Sequence, residues 1–331
     1  MNPSYKKLLN EYEKKRKQKV LEMEDRKNRI YSEIPELACI DSEINKLAIS
    51  SAKSLLEKND SNILNNLNEK ISKLKKDKTN VLLKNNYPET YLNIKYDCDK
   101  CNDTGYIEIN NSCCLCNCFK QKLFNIEYNK SNISNLQNQR FEDFISTYYS
   151  ESVDNSKYNS DISPRKNIEF IKKICIEFIE NFNILESKNL LFTGNTGLGK
   201  TFLSSCIANE LIKNGKTVLY QTAPVMLDTI IDYRFGKCKD PTIYNSLLDV
   251  DLLIIDDLGT ECINNMKFTE LFNILNTRLL NQNNKITKTI ISTNLSLQNL
   301  FNTYDERIVS RLVGNYNICR FFGDDIRFKK K

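Results

Sequence analysis

Residues Asn189 to Thr201 read NLLFTGNTGLGKT. The apolar run that stops at Gly194 predicts a strand buried on both faces, and the spacing from Thr201 to Lys213 predicts a helix after it. Between them GNTGLGKT matches the pattern G-x-x-x-x-G-K-[ST] at every fixed position. A loop placed there turns the backbone N–H groups of Gly194, Asn195, Thr196, Gly197, Leu198 and Gly199 toward phosphate oxygens, beside a helix N-terminus that favours anions. In that pattern Lys200 reaches the β- and γ-phosphates and Thr201 ligates Mg²⁺. Three of the nine glycines stand in this one loop, although Asn, Asp and Ser serve most other turns. The stretch therefore points to a nucleotide site in an α/β fold.

Outward from the loop the alternation continues. Ser163 and Pro164 are cap and first-turn residues for a helix to about Phe182. TVLYQT, DLLIIDD, TKTIIST and NICRFF read as further strands, separated by helices near 224–235, 266–280 and 304–313. Strands alternating with helices imply a parallel sheet covered on both faces. LLIIDD sets Asp256 and Asp257 at the C-terminal end of an apolar strand, where an open parallel sheet binds ligands. Asp256 is the expected Mg²⁺ holder, and Asp257 the group that orients or polarises the attacking water. Asn294, in IISTN, is expected between these acids and the γ-phosphate; alternatively it caps the helix that follows. Arg307 and Arg311 share a helix face in DERIVSRL. That face is either solvated or supplies positive charge to a neighbouring molecule's γ-phosphate.

The segment from about 165 to 331 resembles the AAA+ ATPases of the bacterial replicative helicase-loader group, which is related to the transposon-associated IstB-like ATP-binding proteins. The resemblance rests on GNTGLGKT, LLIIDDLGTE, the asparagine of STN, DERIVSRL and FFGDDIRFKK, in that order. It implies that Asn294 is the sensor 1 residue and that Arg311 is the arginine finger, with Arg307 beside it. Two departures stand out. Asp257 takes the place where many AAA+ proteins have Glu, which leaves Glu261 as an alternative. Only nine residues follow NICRFF, so the helical lid of the family is expected to be missing, and sensor 2 work falls to Arg327.

Ahead of the ATPase segment the sequence changes character. Six of the twelve cysteines lie within 21 positions: Cys98, Cys101, Cys113, Cys114, Cys116 and Cys118. Such a cluster without disulfide-type context favours a metal, with four thiolates around Zn²⁺ or an iron–sulfur cluster as the alternative. CDKCNDTGY followed by CNCFKQK resembles the zinc module of some Gram-positive helicase loaders. That resemblance selects Cys98, Cys101, Cys116 and Cys118, with Cys113 and Cys114 as alternatives. The cysteines at 39, 175, 206, 238, 262 and 319 read as small hydrophobes. From 4 to about 86 the chain reads as helices, with Pro35 between two of them. An apolar seam at Leu64, Leu67, Ile71, Leu74 and Val81 is expected to pack within a helical hairpin or on a partner.

The chain has 331 residues and is 40% hydrophobic, enough for two folded domains, and its net charge is +6. The absence of histidine excludes Ser-His and Cys-His catalysis and histidine metal ligands. Mean hydropathy is −0.49, no apolar run nears the roughly 18 residues of a membrane span, and the N-terminus lacks a signal-type apolar stretch, so a cytoplasmic protein is expected. Four segments are expected: 1–95, a helical partner-binding region; 96–127, a zinc-binding module; 128–163, a polar linker; and 164–331, the ATPase. Tyr233, Arg234, Lys237 and Lys239 are candidates for contact with single-stranded DNA.

The resemblance implies ATP, Mg²⁺ and Zn²⁺ as cofactors, self-association through the ATP site, and a replicative DNA helicase as partner. The expected function is ATP-dependent loading of that helicase onto single-stranded DNA. The alternatives are a transposition ATPase that binds duplex DNA and recruits a transposase, and an adaptor that binds ATP but barely hydrolyses it.

Overall fold

The computed structural model describes residues 3–56, 61–109, 111–127, 139–237, 242–262, 264–281 and 285–329. Lys239 and Cys238 lie outside the described residues. The fold divides into two units, one of residues 6–114 and the other of residues 115–331 with the first few residues of the chain.

In the N-terminal unit the helices are α1 (Pro3–Glu33), α2 (Pro35–Leu56) and α3 (Ser61–Lys84). Pro35 lacks the N–H that would continue α1 and suits the first turn of α2. The apolar seam falls on α3, which packs on α2. Leu67, Ile71 and Leu74 are half-buried there and Val81 is buried; the side chain of Leu64 lies outside the described residues. Ile30, Leu37, Val81 and Leu82 form a small core ringed by Tyr31, Tyr87 and Tyr91. Lys78 Nζ donates to Asp41 Oδ1 at 2.6 Å and the Tyr31 hydroxyl donates to Asp41 Oδ2, so the buried side of α2 carries a satisfied carboxylate.

A short hairpin follows, β1 (Tyr106–Ile109) with β2 (Ser112–Leu115), and then α4 (Asn117–Glu127). In the C-terminal unit α4 lies along β4 (Val218–Thr222), an edge strand. The Gln121 amide accepts from Val218 N at 2.6 Å and donates to Val218 O at 3.0 Å, so a side chain pairs with exposed strand backbone.

The main sheet contains β3 (Asn189–Thr193), β4, β5 (Leu252–Leu258), β6 (Lys288–Thr293) and β7 (Tyr316–Arg320). Its order is β4-β5-β6-β3-β7 and every pair is parallel. The helices are α5 (Asn155–Tyr158), α6 (Pro164–Glu180), α7 (Lys200–Lys213), α8 (Ala223–Arg234), α9 (Thr242–Asp249), α10 (Asn265–Asn281), α11 (Leu297–Thr303) and α12 (Glu306–Asn315). Side chains alternate along each strand, so Leu190, Phe192, Leu252 and Ile254 join the α6–α7 core. Leu191, Leu253, Ile255 and Ile291 join the opposite core with α8 to α12. Ser163 caps α6 as its sequence predicts, accepting from Lys166 N at 3.3 Å, with Pro164 in the first turn.

Within the stretch 128–163, expected as a polar linker, residues 139–163 are described and carry packed aromatic side chains. Phe141, Phe144, Tyr148 and Tyr149 pack into the α6–α7 core, and Arg165 Nε donates to Tyr149 O at 3.1 Å. These four aromatic side chains, on and beside two short 3-10 turns, offset the polar residues around them.

Arg278 on α10 is buried beneath the sheet. Its guanidinium donates to Leu247 O at 2.8 Å, Val250 O at 3.0 Å, Lys288 O at 2.7 Å and Thr289 Oγ1 at 3.0 Å. These bonds satisfy the C-terminal carbonyls of α9 and the start of β6 in one stroke. Arg278→Ala is expected to lower unfolding free energy by about 3–5 kcal/mol, because it strands several buried carbonyls; urea denaturation followed by circular dichroism measures the loss.

Candidate nucleotide site and cysteine cluster

The loop from Gly194 to Gly199 joins the C-terminal end of β3 to the first turn of α7. Gly197 has φ +73° and Gly199 +87°, left-handed values that glycine adopts without strain. The C-terminal segment closes on the loop: Ile326 N donates to Gly197 O at 3.0 Å, and a Cβ on Gly197 would strike the Asp325 carboxylate. On the other side the Tyr149 hydroxyl donates to Leu198 O at 2.9 Å. The loop is thus held between residues from both flanks of the ATPase fold.

Lys200 Nζ is buried and donates to Gly194 O at 2.5 Å, Asn195 O at 2.7 Å and Asn294 Oδ1 at 2.8 Å. Burial pushes its pKa down to about 8, against the opposing pull of Asp256 and Asp257. Asn294 does not cap the next helix; Ser296 does, accepting from Asn299 N at 3.1 Å. The amide of Asn294 is therefore free to face the loop lysine.

Asp256 ends the buried part of β5, and Thr201 Oγ1 donates to its Oδ2 at 3.1 Å. Two hard oxygen donors, one of them anionic, meet at this point, which suits the oxygen coordination of Mg²⁺. Just beyond, Ile255 pairs with Ile291 but Leu258 with Thr293, so β5 carries one residue more than β6. That bulge re-aims Asp257, which takes φ +57°. A left-handed non-glycine residue costs about 1–3 kcal/mol and clusters at functional sites. Burial and the adjacent Asp256 raise the carboxyl pKa of Asp257.

These groups surround a cavity of about 540 Å³ lined by loop residues 196–201, Asp257, Asn294 and Arg327. Arg327 is tied to Asp325, with Nε at 2.9 Å from Oδ1. The far wall consists of Phe144, Ile145, Tyr148 and Tyr149, from the stretch expected as a polar linker. These residues sit on two short 3-10 turns joined by extended Phe144 and Ile145, so no helical or strand period marks them in the sequence.

Other expected residues lie elsewhere. Glu261 is buried, accepts from Gly259 N at 2.9 Å and from the Tyr304 hydroxyl, and does not line the cavity. Arg307 and Arg311 are also absent from its walls. Arg311 lies 4.4 Å over the Phe272 ring and donates to Asn276 Oδ1 at 2.9 Å, while Arg307 pairs with Asp305. Arg234 is paired with Glu270 at 2.9 Å and Lys237 with Asp232 at 3.0 Å.

The sulfurs of Cys98, Cys101, Cys116 and Cys118 all lie within 4.8 Å of one another. A tetrahedral Zn²⁺ with bonds of about 2.3 Å needs sulfurs about 3.8 Å apart, so the donor set fits after a small contraction. The Asp103 carboxylate accepts from Asp97 N at 2.9 Å and Cys98 N at 3.0 Å, and Asn102 and Asp103 adopt left-handed φ values. This turn brings Cys98 and Cys101 together. Cys113 is exposed on β2 and, like Cys114, is not part of the group.

The family model described as IstB-like ATP binding protein matches residues 150–331. The chain belongs to that family. Its fold is that of an AAA+ P-loop ATPase, and the family implies ATP and Mg²⁺. Among similar proteins, the "Replicative helicase loader DnaC" of Buchnera aphidicola subsp. Baizongia pistaciae is 30% identical over 164 residues, 48% of this chain and 65% of that protein. The "Putative insertion sequence ATP-binding protein y4pL" of Sinorhizobium fredii is 28% identical over 144 residues, 42% of this chain and 56% of that one. The chain thus spans less than two thirds of the length of these relatives. The solved structure "Crystal Structure of the DnaI" aligns with a TM-score of 0.45 and 21% identity, covering 57% of this chain and 94% of that one. Among the described residues no helix is long and apolar enough to cross a membrane.

Proposed function

We propose that this protein is an ATP-dependent replication ATPase that binds the replicative DNA helicase and loads it onto single-stranded DNA. The likeness to proteins named as replicative helicase loaders, together with the family match over residues 150–331, carries the reading.

Within it, Lys200 and the loop N–H groups bind the phosphates, and Arg327 serves from the C-terminal segment. Thr201 and Asp256 hold Mg²⁺, which supplies charge neutralisation across the β- and γ-phosphates. Asp257 orients the attacking water, and Asn294 shares its amide between Lys200 and the γ-phosphate. Arg311, with Arg307 beside it, acts on the site of a neighbouring copy. Its position outside the cavity of its own chain agrees with a role in trans. Hydrolysis is slow, since Asp257 reaches less far than a glutamate. Cys98, Cys101, Cys116 and Cys118 hold a structural Zn²⁺ with no open coordination position. The helical region 1–95 with this module grips the helicase, and Tyr233, Arg234 and Lys237 contact single-stranded DNA once Arg234 and Lys237 exchange their acidic partners for phosphates.

A second reading, a transposition ATPase on duplex DNA, is favoured by the likeness to the insertion-sequence protein. Size-exclusion chromatography with light scattering separates the two. The full chain is mixed with the replicative helicase of its own organism, with and without a non-hydrolysable ATP analogue. Co-elution supports the loader, and failure to co-elute in either nucleotide condition removes it.

A further inference from the structure

Tyr220 carries a buried hydroxyl beside the nucleotide site. It sits on β4, two residues before Thr222, which pairs with Asp256 across the sheet. Residues two apart on a strand share a face, so the Tyr220 ring lies diagonal to Asp256, within reach of a long aromatic side chain. The hydroxyl donates to Asp256 Oδ2, the same oxygen that receives Thr201 Oγ1 at 3.1 Å. The other oxygen, Oδ1, receives the Ser292 hydroxyl and, at 3.1 Å, the Asp257 N–H. Three hydroxyls, from β4, β6 and α7, thus hold one carboxylate.

We infer that Tyr220 is a positioning residue for the metal-holding carboxylate: its hydroxyl, with that of Ser292, fixes the Asp256 side chain so that Mg²⁺ meets a preset oxygen. The inference rests on the reading of Asp256 as the Mg²⁺ holder. A carboxylate already locked by neutral donors loses little side-chain freedom when it engages a cation, and outer partners of this kind commonly set metal affinity by tenfold or more. Thr201 cannot replace the tyrosine, because its own hydroxyl is needed at the metal. Ser292 cannot either, since it serves the opposite oxygen and also accepts from Asp257 N at 3.2 Å.

The test follows binding, not turnover. Mg²⁺ is titrated into the full chain with a fluorescent ATP analogue, and the Mg²⁺ concentration at half-maximal enhancement of nucleotide binding is read for wild type, Tyr220→Phe and Asp256→Asn. Tyr220→Phe keeps the ring and removes one donor. It is expected to raise that Mg²⁺ midpoint about tenfold, with nucleotide affinity in EDTA unchanged. If Asp256→Asn shifts the midpoint and Tyr220→Phe does not, the positioning role is overturned and the metal assignment stands. If Asp256→Asn leaves the midpoint in place, the assignment of Asp256 fails and takes the inference with it. Equal losses by Tyr220→Phe with and without Mg²⁺ would mark a purely structural tyrosine and also overturn the proposal.

Discussion

Lys200→Ala is expected to weaken ATP binding about 100-fold, measured by titration with a fluorescent analogue. The three donors of the ammonium are placed at the mouth of the loop by Gly194 O, Asn195 O and Asn294 Oδ1, and phosphate binding exchanges some of these acceptors for phosphate oxygens. Charge-assisted bonds of this kind to phosphate contribute about 3 kcal/mol. The same residue sets a pH dependence. Its pKa lies near 8 because burial disfavours the ammonium, and polyphosphate binds the protonated form. Affinity is therefore expected to be flat well below pH 8 and to fall as pH rises through that value, by up to about tenfold per unit. The slope should vanish in Lys200→Ala. An unchanged slope in that variant would assign the titration to another group.

Removal of a cysteine from the cluster has the second largest expected effect. Wild-type protein purified under reducing conditions is expected to contain about one zinc per chain by atomic emission, and Cys101→Ser none. Structural zinc sites in small modules contribute about 10–16 kcal/mol of apparent binding free energy, so the turn around Asp103 loses its support when the metal leaves. Residues near 97–118 should then become sensitive to limited proteolysis, both in Cys101→Ser and in wild type treated with a strong chelator. The nucleotide site is expected to keep its ATP affinity, because none of its residues lies in that segment. Cys113→Ser should retain full zinc, since Cys113 stands outside the group. Loss of zinc in that variant would show a different ligand set. Visible absorbance in the purified protein would point to iron and sulfur instead.

The nucleotide site was legible in the sequence because its chemistry is local. A glycine-rich turn between a buried strand and a helix, and two acids at the end of an apolar strand, announce their roles through spacing alone. The cavity wall was not legible. The stretch from 139 to 163 is dominated by Asn, Ser, Asp and Tyr, and its few apolar residues contribute only once they meet α6 and α7. Glu261 shows the reverse error: it lies near the acids in sequence, but the turn after β5 directs it to Tyr304 and Gly259. The contacts of Arg311 with Phe272 and Asn276 likewise come from α10, far upstream in the chain.

The amino-acid sequence by itself determined the five strands of the main sheet, the helices on either side of the phosphate loop, that loop and the acid pair, because each depends on periodicity or on residues adjacent in the chain. The helices Thr242–Asp249 and Leu297–Thr303 carried no such signal. The tertiary structure alone decided where Asp257 points and which hydroxyls hold Asp256. Those outcomes depend on strand register, on a one-residue bulge and on distances between segments far apart in the chain. No local pattern encodes them, since they arise only when the sheet is assembled and its neighbours are in place.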